Sequence, residues 1–207
     1  MDKYFSVERD VENEIVIERS RFITNVKSVK TEDEARTFLE CVRKKYSLAT
    51  HNCFACVCEM GAIKRSSDDG EPSGTAGQPM LDAIVSACLA NVAVVVTRFF
   101  GGIKLGAGGL VRAYSKSVSD ALKKAGKIEF SLCSVMKLTV NYDKISKISF
   151  ITSSADVKVL SSDYGEKIVI YFAVKASQEK AIVEKLNESL SGSVEIENSE
   201  QKFINLK

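Results

Sequence analysis

"VAVVVTRFFGGIKLGAGGLVRAYSKSVSDALKKAG", residues 92–126, places five glycines between positions 101 and 109, after a β-branched run and before a helical repeat. The run from Val92 is short, apolar and stopped by glycine, which predicts a mostly buried strand. Beyond the glycines, Leu110, Val111, Tyr114, Val118, Ala121 and Leu122 recur at helical spacing, and two lysines followed by Gly126 give a stop signal. The stretch reads as strand, glycine loop, helix.

Working outward, "TEDEARTFLECVRKKY" (31–46) has Thr31 and Glu34 at capping-box spacing and predicts an amphipathic helix. "HNCFACVCEM" (51–60) reads as a strand, "PMLDAIVSACLA" (79–90) as a helix, and residues 14–19 and 22–29 as further strands. Residues 1–130 are therefore expected to form one α+β domain. After residue 130 glycine becomes scarce. The order there is a strand at 131–142, a helix at 143–154, two strands around the Ser162-Asp163-Tyr164-Gly165 turn, a helix leaving at Gly192, and a last strand at 193–206. That β-α-β-β-α-β order is the split βαβ of ferredoxin-like folds, expected over residues 131–207.

Charge and composition narrow the functional classes. Lys and Arg number 29 against 27 acids, so a net charge of +2 supplies no global field for nucleic acid, and any basic surface must be local. The first residues carry charges throughout and no apolar run reaches the length of a bilayer span, so a cytoplasmic protein without a membrane partner is expected. Six cysteines in such a chain are expected to be free thiols.

Two loops carry candidate chemistry. A glycine-dense approach to a helix offers unpaired amide donors and partial positive charge, which suits an anion. Gly101, Gly102, Gly106, Gly108 and Gly109, with Arg98, Lys104 and Arg112, are the candidate anion or RNA-phosphate residues. Walker A spacing exists between Gly101 and Gly106, but Ala107 and Gly108 stand where its lysine and hydroxyl are required. The dinucleotide fingerprint fails at Val111. The competing reading is structural: glycines for positive φ and close packing, with solvated basic residues around them.

The second loop, "SDDGEPSGTAGQPM" (67–80), holds Asp68, Asp69, Glu71, Ser73 and Thr75 as polar candidates among three glycines and both prolines. Its acids suit a hard cation or acid–base work, or simply the capping of turns and a helix start. Its spacing is not that of a calcium loop, and neither metal nor cofactor is expected. In "HNCFACVCE", strand alternation puts His51 and Cys53 on one face and Cys56 and Cys58 on the other, which cannot wrap one zinc. His51 and Cys53 stand about 7 Å apart along a strand, a poor nucleophile–base pair.

"SDDGEPSGTAGQPML", "RFFGGIKLGAGGLVRAYS", "ERSRFIT" and the His-x-Cys-x-Ala of "HNCFA" together resemble the signature stretches of the IMPACT/YigZ family, in its bacterial two-domain form. "SSDYGEKIVIYFAV" also resembles the C-terminal domain of bacterial members. The resemblance implies an N-terminal domain like the second domain of a small-subunit ribosomal protein, and a C-terminal domain like the ferredoxin-like last domain of elongation factor G. It implies a translation-associated, non-enzymatic binding protein whose partners are RNA, the ribosome or a translation factor. Two alternatives stand beside that expectation. One is an enzyme on a phosphorylated or nucleotide substrate with Asp69 or Glu71 as base, and the other is a protein-interaction scaffold. The single His51 argues against the metallopeptidase label some relatives have carried.

Overall fold

The computed structural model describes residues 1–144, 148, 157–190 and 195–206. Its chain divides into a unit of Tyr4–Ile128 and a second unit of Met1–Lys3 with Glu129–Lys207. Both are mixed α+β with antiparallel sheets. In the first unit, β2 (Val11–Ile17), β3 (Ser20–Ser28), β4 (His51–Cys58), β5 (Ile63–Ser67) and β6 (Val92–Phe99) form a sheet of order β2-β3-β6-β4-β5. β6 is central and its residues Val92 to Val96 are all fully buried, which is why it reads as an unbroken apolar run. Strand alternation sends its neighbours to opposite faces.

Helix α1 (Glu32–Lys45) covers one face, where Phe38, Leu39 and Val42 meet Phe54, Cys56 and Val95. Thr31 caps it, its hydroxyl accepting from the Glu34 amide at 3.2 Å, while Glu34 accepts from the Lys30 amide at 2.7 Å. The box therefore closes one residue before the cap. The other face is covered by α2 (Gly77–Ser86) and α3 (Gly106–Ala125), with Phe22, Tyr114, Met80 and Ile84 fully buried. Phe22 and Tyr114 meet edge to face at a centroid distance of 5.3 Å. Burial of each such side chain contributes roughly 1.5–3 kcal/mol.

Two boundaries differ from the sequence expectation. α3 begins at Gly106, so Gly106, Gly108 and Gly109 lie inside its first turn rather than in a loop, and Arg112 falls in the second turn. α2 begins at Gly77, where a Cβ would stand 2.8 Å from the Ser67 backbone, so this turn packs directly on the end of β5. β5 and β1 (Lys3–Val7) carried no clear periodic signal; four of the five β5 residues are exposed.

In the second sheet, β7 (Lys127–Val140) is flanked by β9 (Ile168–Lys175), which pairs in turn with β8 (Val157–Tyr164); β1 and β10 (Glu195–Ile204) also pair with β7. Helix α4 (Glu179–Leu190) supplies Ile182, Leu186 and Leu190 to a core with Met136, Leu138, Ile170 and Phe172. The strand pair expected around the 162–165 turn is present as β8 and β9. The helix expected at 143–154 lies largely outside the described residues, as does the Gly192 exit.

Candidate functional site

Register places one row of residues across the first sheet: Arg98 of β6 is the cross-strand partner of Phe22 of β3 on one side and of His51 of β4 on the other. Arg98 is the penultimate residue of β6, and only 5% of it is accessible. Its Nη1 donates to Glu71 Oε1 at 2.7 Å, and its Nη2 donates to Ser20 Oγ at 3.3 Å. Tyr114 of α3 donates its hydroxyl proton to the same Glu71 oxygen at 2.8 Å. Glu71 is thus a buried carboxylate neutralised by one guanidinium and one phenol, which is the way a buried charge becomes tolerable.

Around that centre the remaining groups are also spoken for. Cys53 Sγ lies 3.0 Å from the Asp68 carbonyl and 3.3 Å from the Tyr114 hydroxyl, so its single proton serves one or the other. Burial pushes the Cys53 thiol up to about 12, which keeps it neutral and unreactive near pH 7. Burial also raises the Tyr114 phenol, with Cys53 and Glu71 adding to the shift, so Tyr114 remains a donor. His51 donates through Nδ1 to the Asp69 carbonyl at 2.8 Å, leaving Nε2 4.0 Å from Glu71 Oε1, beyond hydrogen-bond reach.

The acidic loop is consumed in its own architecture. The Asp68 carboxylate accepts from the amides of Gly74 (2.8 Å), Ala76 (3.0 Å) and Gly77 (2.8 Å), closing the loop onto the start of α2. Burial alone would raise the Asp68 carboxyl, but the three amides together outweigh it and hold it below the usual carboxylate range. Asp69 accepts from the Asn52 amide and from Arg43 of α1. Thr75 donates to the Pro72 carbonyl, and Ser73 is exposed. Asp68 and Asp69 are therefore turned into backbone and ion-pair bonds rather than toward a shared opening, and Glu71 is sealed beneath Arg98. Among the described residues no group of three His, Cys, Asp or Glu side chains is placed to share a metal ion.

The glycine segment behaves differently. Gly101 is jammed: a Cβ there would lie 2.1 Å from the Arg19 backbone, and its amide donates to Ser20 Oγ at 3.2 Å. Gly102 (φ 85) and Gly106 (φ 69) need the left-handed region and face open space. From Gly106 to Gly108 the helix start is exposed, with no side-chain cap and no acid in the first turn. Lys104 and Arg112 are exposed on the same segment, and Arg19 is exposed on the turn whose backbone abuts Gly101; none of the three forms an ion pair among the described residues. Arg112 folds back, its Nη1 only 3.5 Å from where a Gly108 Cβ would be. Phe100 stands at the surface with 48% of it accessible, and Ile103 with 37%.

The structure thus divides the candidate residues into two sets. Arg98, expected beside an anion, belongs to the interior ion pair. Lys104, Arg112, Gly102, Gly106 and Gly108 remain exposed, as does Arg19, which the sequence did not single out because it sits 79 positions before Arg98 in a hairpin turn of positive φ. Tyr114 and Ser20 were also missed, since in sequence they read as a helical apolar position and a turn residue. A separate concavity of 660 Å³ lies between α2 and α3, lined by Ala83, Leu89, Val111 and Leu122.

In the first of two α+β units, four distant segments of chain close on one buried ion pair. Residues 18–122 match the Impact N-terminal domain model, and residues 138–193 match a domain of unknown function, DUF1949. The chain is 40% identical over 205 residues to IMPACT family member YvyE of Bacillus subtilis, covering 99% of this chain and 94% of that protein. It is 34% identical over 185 residues to IMPACT family member YigZ of Escherichia coli, covering 87% and 90%. A crystal structure of a hypothetical protein, 31% identical, superposes with a TM-score of 0.64 over 97% of this chain and 98% of that one. The chain belongs to the IMPACT family. Ser20, His51, Cys53, Asp68, Glu71, Arg98, Gly101 and Tyr114, the residues that meet in the network, come from the four stretches that carried the family resemblance. Among the described residues no helix is long and apolar enough to cross a membrane.

Proposed function

We propose that this chain is a cytoplasmic, non-enzymatic, translation-associated binding protein that contacts RNA phosphates through the start of α3. The observation that carries the reading is the exposed, uncapped first turn of a 20-residue helix, free of acids, with Lys104 and Arg112 on the same segment and Arg19 on the turn that packs against Gly101. Unpaired amides and the helix dipole favour an anion, each such interaction contributing typically 0.3–1 kcal/mol and up to about 2 kcal/mol when partly buried. Three cations add point charges whose binding energy comes largely from counterion release. The resemblance to ribosome-associated domains supports RNA as the anion's source, by analogy. The family's ribosomal-protein-like and ferredoxin-like domain assignments belong to this same reading.

An enzyme built on the acidic loop is less well supported. Asp68 and Asp69 are occupied by amides and Arg43, Cys53 is held neutral, and Glu71 is covered. The test is RNA binding and sedimentation with ribosomes between 50 and 200 mM salt. With three phosphate contacts to a single strand, log K should fall with log salt at a slope of about −2, and Lys104→Ala with Arg112→Ala should remove roughly 1.4 of it. Binding indifferent to both salt and these substitutions removes the proposal.

A further inference from the structure

Phe100 is the feature the phosphate reading leaves unused. A large aromatic ring that is half accessible, at the end of an otherwise buried strand, costs solvation that burial would recover. Its position is nevertheless held firmly. Its amide donates to Thr50 Oγ1 at 3.3 Å, and the next residue, Gly101, is locked against the Arg19 backbone. One side of the ring faces the Arg98 guanidinium, whose central carbon lies 5.6 Å from the ring centroid and 5.4 Å from that of Phe22. Arg98 is itself pinned by Glu71 and Ser20, so the ring rests on a mount made of the buried ion pair. Such a rigid, exposed aromatic is a preorganised stacking surface.

We infer that the site takes single-stranded rather than duplex RNA, with one unpaired base stacked on Phe100 while the neighbouring phosphates meet Lys104, Arg112 and the α3 amides; this rests on the phosphate reading above. The chemistry distinguishes the two forms of RNA. In a duplex the faces of the bases are already stacked and only backbone and groove edges are offered, whereas a single strand presents a free π face. Phe100 and Gly106 are six residues apart in sequence, so their α-carbons are separated by at most about 22 Å, within the reach of a short oligonucleotide. The local cations match a polyanion, and Ile103 extends the apolar surface beside the ring.

The experiment is fluorescence anisotropy on the full chain with three probes: a labelled oligouridylate, a duplex RNA of the same length, and inorganic polyphosphate as unlabelled competitor. Oligouridylate should bind more tightly than the duplex. Phe100→Ala should weaken it about 5- to 160-fold, the range that loss of one stacked base gives, while Phe100→Trp retains it. Polyphosphate competition for the residual charge-driven binding should be unchanged by Phe100→Ala and lost with Lys104→Ala plus Arg112→Ala. If Phe100→Ala leaves oligouridylate affinity unchanged while the Lys104 and Arg112 changes weaken it, stacking is overturned and the phosphate reading survives. If neither RNA binds, the phosphate reading fails and this inference with it. A preference for duplex, or displacement of oligouridylate by polyglutamate as effectively as by RNA, overturns the assignment in favour of shape readout or of an acidic protein partner respectively.

Discussion

Replacing Arg98 with Met removes the guanidinium paired with a carboxylate that is 3% exposed at its side chain. Met fills much of the same volume, so the cost is electrostatic: Glu71 keeps the Tyr114 hydroxyl bond but loses its neutralising partner. Breaking one side of a buried pair costs about 3–5 kcal/mol, because the remaining charge is desolvated without compensation. At roughly 4 °C per kcal/mol for a unit of this size, Arg98→Met should lower the calorimetric Tm by roughly 12–20 °C at pH 7. In the double variant Arg98→Met/Glu71→Leu no charge is left behind, and most of the loss should be recovered. A drop of under about 4 °C for the single variant, or single-site effects that add within roughly 0.5 kcal/mol in the double, would refute the reasoning.

Three further outcomes follow from the same geometry. Gly101→Ala should destabilise by at least about 1–3 kcal/mol in urea unfolding, since its Cβ meets Arg19 backbone rather than a movable side chain; a neutral result would mean that the β2–β3 turn shifts freely. Asp68→Ala should cost about 2 kcal/mol at pH 7 through three lost amide bonds. Because the folded carboxyl is depressed, that contribution is fully present above the unfolded value near pH 4 and is lost as pH falls through the folded one, so the gap between the two proteins should narrow as the solution is acidified below about pH 4. An aromatic disulfide reagent at pH 8 should label Cys41 and Cys88 promptly, while Cys53, Cys56, Cys58 and Cys133 react only after denaturant is added; prompt labelling of Cys53 would contradict its burial.

The strand–glycine–helix unit was legible because each part is signalled locally: β-branched residues for β6, a 3.6-residue repeat for α3, and Thr31 with Glu34 for α1. β5 was not, because an edge strand reading Ile-Lys-Arg-Ser-Ser has one half-buried residue and no apolar alternation. The glycines of the first turn of α3 read as loop because glycine is a poor helix former; Gly106 takes a left-handed φ, and a Cβ on Gly109 would come within 3.0 Å of Leu105 at the same helix start. The site was only half visible. Glu71 and Arg98 lie 27 residues apart, and nothing local says that β4 and β6 are neighbours in a register pairing His51 with Arg98. Tyr114 sat correctly on the buried face of its helix, but periodicity does not say that its hydroxyl ends on a carboxylate 43 residues away. Exposure is likewise a property of the fold, so the sequence grouped Arg98 with Lys104 and Arg112 although only the latter two remain outside.

The most direct measurement is an amide-resolved NMR titration of the full chain with a short oligouridylate at low salt. The account predicts saturable shifts concentrated at the amides of Gly102, Lys104, Gly106, Ala107, Gly108 and Gly109, with the Phe100 ring protons moving in step and all of them reversed by added salt. Shifts confined instead to the groove between α2 and α3 or to the second sheet, or none at RNA concentrations that saturate ordinary single-strand binders, would contradict it.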